Sequence, residues 1–430
     1  MNVRILSKKL IYAQLVVSMV AKLISHLIPK LGVLEYCVDL IGVVLLFFVL
    51  IWILKYNFFE KHQKYIFALI LVVFLFDICR ALITQTNFIL FVWGIRNQYR
   101  FMLMFFAVCI FWTIEDIDHF FKICYYLLIF NMFVIVVQFA SGYNRDYLGG
   151  IFGVQDQNVN AITNVFLIIL VTYGILGNVY KKVSRLTSIV ILSVSVIWSA
   201  LAEIKIFYVE LVIIAALVFF IVRGHSLSKV KWIGSMIVFL IIGIVGLMIV
   251  FPEQVPYVTN PFKILWYLKN VHGGAHGFGR TTALRMTNEI FFGEAILPKV
   301  IGIGVGNAEF LKIGGRSIAS TFYDKYSIYM YFGYFHSMVY IERGVFGLIW
   351  YGIFWIIPFV MSIKLRKYQK FRLYSEYLIA FLVCVIIVAL KDSTLRISTA
   401  GYLVSVMMAI PYLLFKHQKV EVNSKTYIKI

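Results

Sequence analysis

Acidic residues are scarce in this chain: 20 Asp and Glu stand against 40 Lys and Arg, a net charge of +20. Such an excess on one soluble face would suit nucleic acid. Here the basic residues are scattered between apolar runs, and no nucleic-acid partner is expected. Cysteine is also scarce. Cys37, Cys79, Cys109, Cys124 and Cys384 lie far apart in or beside apolar segments, with no Cys-x-x-Cys. Neither a disulfide framework nor a zinc site is indicated. No carboxylate cluster has metal-ligand spacing and no Ser-His-Asp order occurs, so any catalysis is expected to use no metal and no cofactor. Gly302-x-Gly304-x-Gly306 has the wrong spacing for a dinucleotide fingerprint and lacks a βαβ context. His272 and His276 are four apart, but the glycines between them argue against a helical metal pair. Heptads, internal repeats and low-complexity tracts are missing too. No small-x-small cleavage pattern follows the basic and apolar start before Pro29, so that start reads as a retained first span.

What the chain has in abundance is apolar length. It is 62% hydrophobic, with a mean hydropathy of +0.90, and runs near the length of a bilayer crossing recur throughout. The expectation is an all-α polytopic integral membrane protein, because lipid leaves backbone groups no partner outside the helix. Expected spans are 10–28, 33–54, 65–83, 97–114, 120–140, 161–179, 187–202, 206–222, 232–251, 337–361, 376–391 and 397–415. Residues 187–222 form one nearly unbroken apolar run. As a single helix it would be about 54 Å long, against a hydrocarbon core of about 30 Å. It must therefore fold back, and Glu203-Ile204-Lys205 is its one charged interruption.

About 12 spans put both termini on one side. That side would hold 22 Lys and Arg, against seven in the opposite short loops (Lys30, Arg96, Arg100, Arg145, Lys205, Lys391 and Arg396). By the positive-inside rule the termini are cytoplasmic. Residues 252–336 then form one large extracytoplasmic loop within a single membrane domain, 1–430.

The chemistry-bearing residues concentrate on that outer side. His336 stands where the loop meets the next span, with Tyr340, Arg343 and Gly347 on the same stripe of an ideal helix and Glu342 about 120° away. Arg96, Arg100, Arg280, Arg285, Arg343 and Arg396 have no topological reason to lie outside. A guanidinium fork suits phosphate, so the set reads as a diphosphate site; pairing within the protein or snorkelling to membrane lipids is the alternative. Asp77 and Arg80, three apart, are expected to pair with each other. Glu203 and Lys205 sit at the hairpin tip, as a solvated turn or a further polar site. Tyr326, Tyr329, Tyr331 and Tyr334 offer faces for sugars or an interfacial aromatic belt.

Three stretches, in this order, resemble one family. Phe152-Gly153, with Gln157-Asn158-Val159-Asn160, looks like a Gly…Asn-x-Asn segment opening a mid-chain span. Gly279-Arg280, followed by Gly302-Ile303-Gly304-Val305-Gly306-Asn307-Ala308-Glu309-Phe310, is similar to a Gly-Arg…Gly-x-Gly-x-x-x-Phe loop. His336-Ser337, with Glu342-Arg343-Gly344 and Gly347-Leu348, resembles a His-Asn/Ser…Glu-x-Gly-x-x-Gly-Leu signature, Ser337 standing where Asn is common. Together they resemble the O-antigen ligase and Wzy-type polysaccharide polymerase superfamily, over about residues 145–415.

The resemblance implies a GT-C-like, all-helical glycosyltransferase of the bacterial cytoplasmic membrane, acting on undecaprenyl-diphosphate-linked glycans at the outer leaflet. A flippase and a chain-length regulator of the same pathway are the implied partners. It implies that Arg280 holds the diphosphate, that His336 is base or orienting group for the acceptor hydroxyl, and that Glu342, Gly344 and Gly347 shape the site. The charge argument alone adds Arg343, Arg100, Arg285 and Lys205, with Glu203 beside the last. A polymerase extending capsule, exopolysaccharide or O-antigen chains is the leading expectation. The alternatives are a ligase acting on a different acceptor, and a lipid-linked oligosaccharide flippase or other transporter.

Overall fold

The computed structural model describes residues 3–56, 61–143, 147–154, 159–222, 226–254, 277–313 and 316–427, with isolated positions between 254 and 277. Nine long helices come first: α1 (Val3–Leu27), α2 (Leu34–Tyr56), α3 (Lys61–Ile83), α4 (Phe88–Phe111), α5 (Ile114–Ala140), α6 (Val159–Val179), α7 (Arg185–Leu201), α8 (Lys205–Ile221) and α9 (Ser226–Val250). Short elements follow, namely α10 (Ala283–Met286), α11 (Ile296–Ile301), the strands β1 (Phe310–Ile313) and β2 (Arg316–Ala319), and α12 (Thr321–Tyr326). Three long helices close the chain: α13 (Phe335–Leu365), α14 (Arg372–Lys391) and α15 (Ser398–Tyr427).

Eight helical segments among the described residues are long and apolar enough to cross a membrane, and two further apolar helices are shorter. The chain is thus an all-α, multi-pass membrane protein. Its surface agrees: Leu40, Phe47, Phe133, Phe220 and Ile249 face outward, an arrangement that water would not tolerate over such an area. α4 is not among the eight, because Arg96-Asn97-Gln98-Tyr99-Arg100 interrupts its apolar run. The long run of 187–222 is divided at residues 202–204, where Glu203 adopts φ +55° and its carboxylate meets Lys205 at 3.0 Å.

Local signals set several helix ends. The Asn87 side chain accepts from the amides of Ile89 and Leu90 and starts α4. Thr113 and Asp116 form a reciprocal capping box at the start of α5. Ser184 caps α7 through the Thr187 amide. In the centre, α6, α14 and α15 are buried on nearly every side, with α4 packed on α15 and α13 on both α14 and α15.

The loops sort to two ends. At one, Lys8 meets Asp116 at 2.5 Å, Lys182 meets Asp118 at 2.6 Å, Arg366 meets Glu376 at 2.8 Å and Lys416 reaches the Ile110 carbonyl at 3.2 Å. At the other, His26 meets Tyr143 at 3.1 Å, Asn307 donates to Thr84 at 3.1 Å and Arg100 donates to the Arg396 carbonyl at 2.7 Å.

Residues 277–334 cap the second end. Phe278, Ala283, Ala308, Tyr331 and Tyr334 form their own small apolar core on Met338 and Ile341 of α13. The antiparallel pair β1–β2, with Phe310 opposite Ala319, has no counterpart in the sequence reading. Four residues per strand leave too little alternation to see.

α13 is not one straight helix. Gly344 has φ +61° and ψ −154°, a region open essentially to glycine. The break lets residues 300–306 lie across the helix: Ile303 and Gly304 donate to the carbonyls of Ile341 and Glu342 at 2.9 and 3.0 Å. Gly302, at φ +69°, approaches so closely that a Cβ would stand 2.2 Å from the Glu342 carbonyl carbon, and one on Gly344 would stand 2.4 Å from that of Val300. The single stripe expected through His336, Arg343 and Gly347 therefore ends at Gly344. Gly344→Ala or Gly302→Ala is expected to lower the thermal midpoint in detergent by several degrees, the strain alone costing about 1–3 kcal/mol. Gly352→Ala, which meets nothing within 4 Å, should leave it unchanged.

Candidate functional site

Beneath the cap lies a polar network whose Asp77, Gln98, Glu342 and Arg343 are buried. Asp77 of α3 and Arg343 of α13 are 1% and 0% exposed. Arg343 donates through Nε to Asp77 Oδ1 at 2.9 Å and through Nη2 to Oδ2 at 2.6 Å, a bidentate pair. Its Nη1 donates to Gln98 Oε1 at 2.7 Å, which also accepts from the Tyr351 hydroxyl at 2.6 Å. Gln98 Nε2 donates to Glu342 Oε2 at 2.5 Å, and the Gly306 amide to Glu342 Oε1 at 3.3 Å. Tyr99 completes the set, donating to Asp77 at 2.6 Å.

The expected Asp77–Arg80 pair is therefore corrected. Arg80 instead donates to the Gly302 carbonyl at 2.7 Å, because the break at Gly344 brings the 302–306 loop over the end of α3. Arg343 is wholly committed to α3 and α4, so its geometry is that of a cross-brace. Glu342 holds α4 and the glycine loop in register with α13. Gln in its place can accept from only one of these two donors, and Glu342→Gln is expected to lower the thermal midpoint in detergent.

Above the network, the first turn of α13 carries His336, which is 8% exposed. Its Nδ1 lies 3.3 Å from the Ala389 carbonyl. A carbonyl only accepts, so the ring donates through Nδ1, and in the neutral imidazole Nε2 carries the lone pair. The Phe335 amide donates to the Asp392 carbonyl at 3.1 Å, joining this turn to the end of α14. Ser337 is buried, with its Oγ 3.4 Å from that of Thr287. Gly347 lets the second half of α13 pack against Arg343, since a Cβ there would stand 2.5 Å from the Arg343 Cβ. Arg280 is half-buried in the turn that opens the cap. Two residues earlier, Phe278 accepts from the Tyr334 hydroxyl at 2.5 Å and donates through its amide to the Tyr329 carbonyl at 3.2 Å. This staple brings the Gly279-Arg280 segment to the residues that lead into His336.

Beside these lies a cavity of about 270 Å³ lined by Asn97, Ala308, Glu309, Phe310, Tyr323, Phe332 and Arg396. Arg396 stands on the turn between α14 and α15 and ion-pairs with Glu309 through Nη2. Burial works against its charge, but the carboxylates of Glu309 and Glu342 outweigh that and hold the guanidinium above its ordinary range. It remains a cation at every working pH. Arg100 lies directly behind, with its guanidinium 4.7 Å from the Phe101 ring. Phe310 and Tyr323 stack at 4.8 Å along one wall.

Other expected residues fall elsewhere. Arg285 is exposed and faces Glu289 at 3.7 Å on the cap surface. Lys205 and Glu203 belong to the α7–α8 turn, and α8 packs on α6, α9 and α14. Arg96 pairs with Asp39 of α2, its Nε at 3.1 Å. Tyr331 and Tyr334 are buried, donating to the Ala308 and Phe278 carbonyls. Tyr326 and Tyr329 pack on Phe291. These four rings build the cap's core, and Phe310, Tyr323 and Phe332 are the rings that line the cavity. Phe152-Gly153 packs against Lys22 of α1; Gln157, Asn158, His272 and His276 lie outside the described residues. Among the described residues no group of three His, Cys, Asp or Glu could hold a metal.

The sequence reading assigned no role to Asn97, Gln98 or Glu309. The signal for the first two was present: five polar residues inside an apolar span need partners in the protein interior. No family model, curated protein or solved structure matches the chain.

Proposed function

We propose that the chain is a Wzy-type polysaccharide polymerase. It joins undecaprenyl-diphosphate-linked repeat units into capsule, exopolysaccharide or O-antigen chains at the outer leaflet of a bacterial cytoplasmic membrane. On this reading all the long helices α1–α9 and α13–α15 cross the bilayer, the termini are cytoplasmic and the cap is external. The observation that carries the proposal is the placement, at one end of the bundle, of His336, the Gly279-Arg280 segment stapled through Phe278 to Tyr334, and the Arg396 cavity.

The chemistry needs little more. A sugar–diphosphate bond is already activated, so the work is to hold an acceptor hydroxyl behind the anomeric carbon and to stabilise charge growing on the leaving diphosphate. His336 is suited to take the hydroxyl proton, and Arg280 to face the leaving group. The break at Gly344 keeps the glycine loop, and with it Glu309, in place beneath the cap.

The purified full-length protein, given lipid-linked repeat units, should produce a glycan ladder that chelator does not abolish. One addition per acceptor would make it a ligase instead. Movement of labelled lipid-linked sugar across proteoliposomes without any extension would make it a flippase. Loss of the ladder with chelator would overturn the metal-free mechanism.

A further inference from the structure

The Arg396 cavity does not end at its polar floor. Asn97 and Arg396 also border a narrow apolar cleft between α4, α13 and α15, walled by Phe101, Phe354, Trp355, Val404 and Met408. The charged pocket and an apolar slot of about 40 Å³ between helices of the bundle thus share Asn97 and Arg396 as a common wall. Within the pocket the Arg396 guanidinium uses Nη2 for Glu309, while its buried Nε has no hydrogen-bond partner among the described residues. Arg100 behind it likewise leaves a buried Nε without one, although its Nη2 is spent on the Arg396 carbonyl. Buried donors are rarely left so. Among the described residues that line the cavity, Arg396 is the cation and Glu309 the acidic group, with Arg100 held behind through the Arg396 carbonyl.

We propose that Arg396 anchors the phosphate or diphosphate head of a lipid whose chain enters the α4–α13–α15 cleft, and that Glu309 is a placeholder carboxylate which this head displaces. The inference rests on the polymerase reading only in taking the ligand to be its lipid carrier. Phosphate oxygens fit the same guanidinium fork as a carboxylate and engage Nε together with Nη2, which Glu309 alone does not. Glu309 sits at the foot of the β1–β2 ribbon, where its carbonyl accepts from the Ser320 amide at 3.1 Å. The ribbon's base thus competes with the ligand for one cation. The placeholder keeps a buried charge paired in the empty site, and it discriminates against ligands too weakly charged to displace it.

The test is binding by the full-length protein in phosphatidylcholine nanodiscs. The probes are polyprenyl diphosphate, the matching polyprenol and inorganic pyrophosphate. Wild type is expected to bind the first and reject the other two. Glu309→Gln should tighten polyprenyl diphosphate about tenfold, and Arg396→Gln should weaken it by about as much. Val404→Trp should block the lipid. If Arg396→Gln does not fold, Glu309→Gln decides, because Gln still accepts from Arg396. Unchanged or weaker binding in Glu309→Gln overturns the placeholder, and pyrophosphate binding as tightly as the lipid overturns the cleft. Failure here in a protein that still builds a ladder discards the Arg396 site alone. Sound binding in a protein that never extends a glycan discards the polymerase.

Discussion

On the polymerase proposal, His336→Ala is expected to slow glycan extension by about 10²–10⁴-fold, the usual yield of a positioned acid–base group, with the protein still folded and still binding polyprenyl diphosphate. The geometry separates this residue from its neighbours. Its Nδ1 is committed to the Ala389 carbonyl at 3.3 Å, which fixes the ring and its tautomer. It stands in the first turn of α13, beyond the buried braces. His336→Gln is the sharper variant, because an amide can keep the bond to Ala389 but takes up no proton at neutral pH. Extension by His336→Gln at the wild-type rate, read from ladder length against time, would remove the base from the mechanism and leave His336 an orienting role.

The largest expected effect on folding lies deeper. Arg343→Met or Asp77→Asn should each cost about 3–5 kcal/mol, because either strands a buried charge that has lost its partner. Arg343→Lys should not rescue the fold, since a point charge cannot reproduce two parallel bonds to Asp77 and a third to Gln98. The double variant Asp77→Asn with Arg343→Met should regain much of the loss. Thermal unfolding of all four in one detergent reads the cycle, and additive losses in the double variant would show that the two residues do not act as a pair. A substrate-binding role for Arg343 predicts the reverse pattern, with single variants as stable as wild type and unable to bind lipid diphosphate.

The two ends of the bundle differ in how far the sequence revealed them. Apolar length and the split at Glu203 were visible directly, because membrane helices must satisfy their own backbone and so announce themselves by composition. The ion pairs were not. Asp77 and Arg80, three apart on one helix, invited a local pairing, yet both reach far along the chain, to Arg343 and to the Gly302 carbonyl. Arg285 and Arg280 are close in sequence but differ in fate: one is on the cap surface, while the other lies in a turn stapled to Tyr334. The four tyrosines of 326–334 were read as a face, and they are a core. In each case spacing along the chain gave the residue type but not its partner.

Alone, then, the sequence determined a basic, apolar, all-helical membrane chain with one long polar loop and a cluster of cations and a histidine beside it. These are one-dimensional properties, set by each residue's affinity for lipid or water. Only the tertiary structure decided which cations are braces and which face a cavity, that α13 breaks at Gly344, and that Arg396 rather than Arg343 stands beside Glu309. Those outcomes depend on contacts between segments far apart in sequence, 87 residues for Arg396 and Glu309 and 266 for Arg343 and Asp77. A buried charge takes whichever opposite charge the packing of helices brings to it, and local spacing carries no information about that choice.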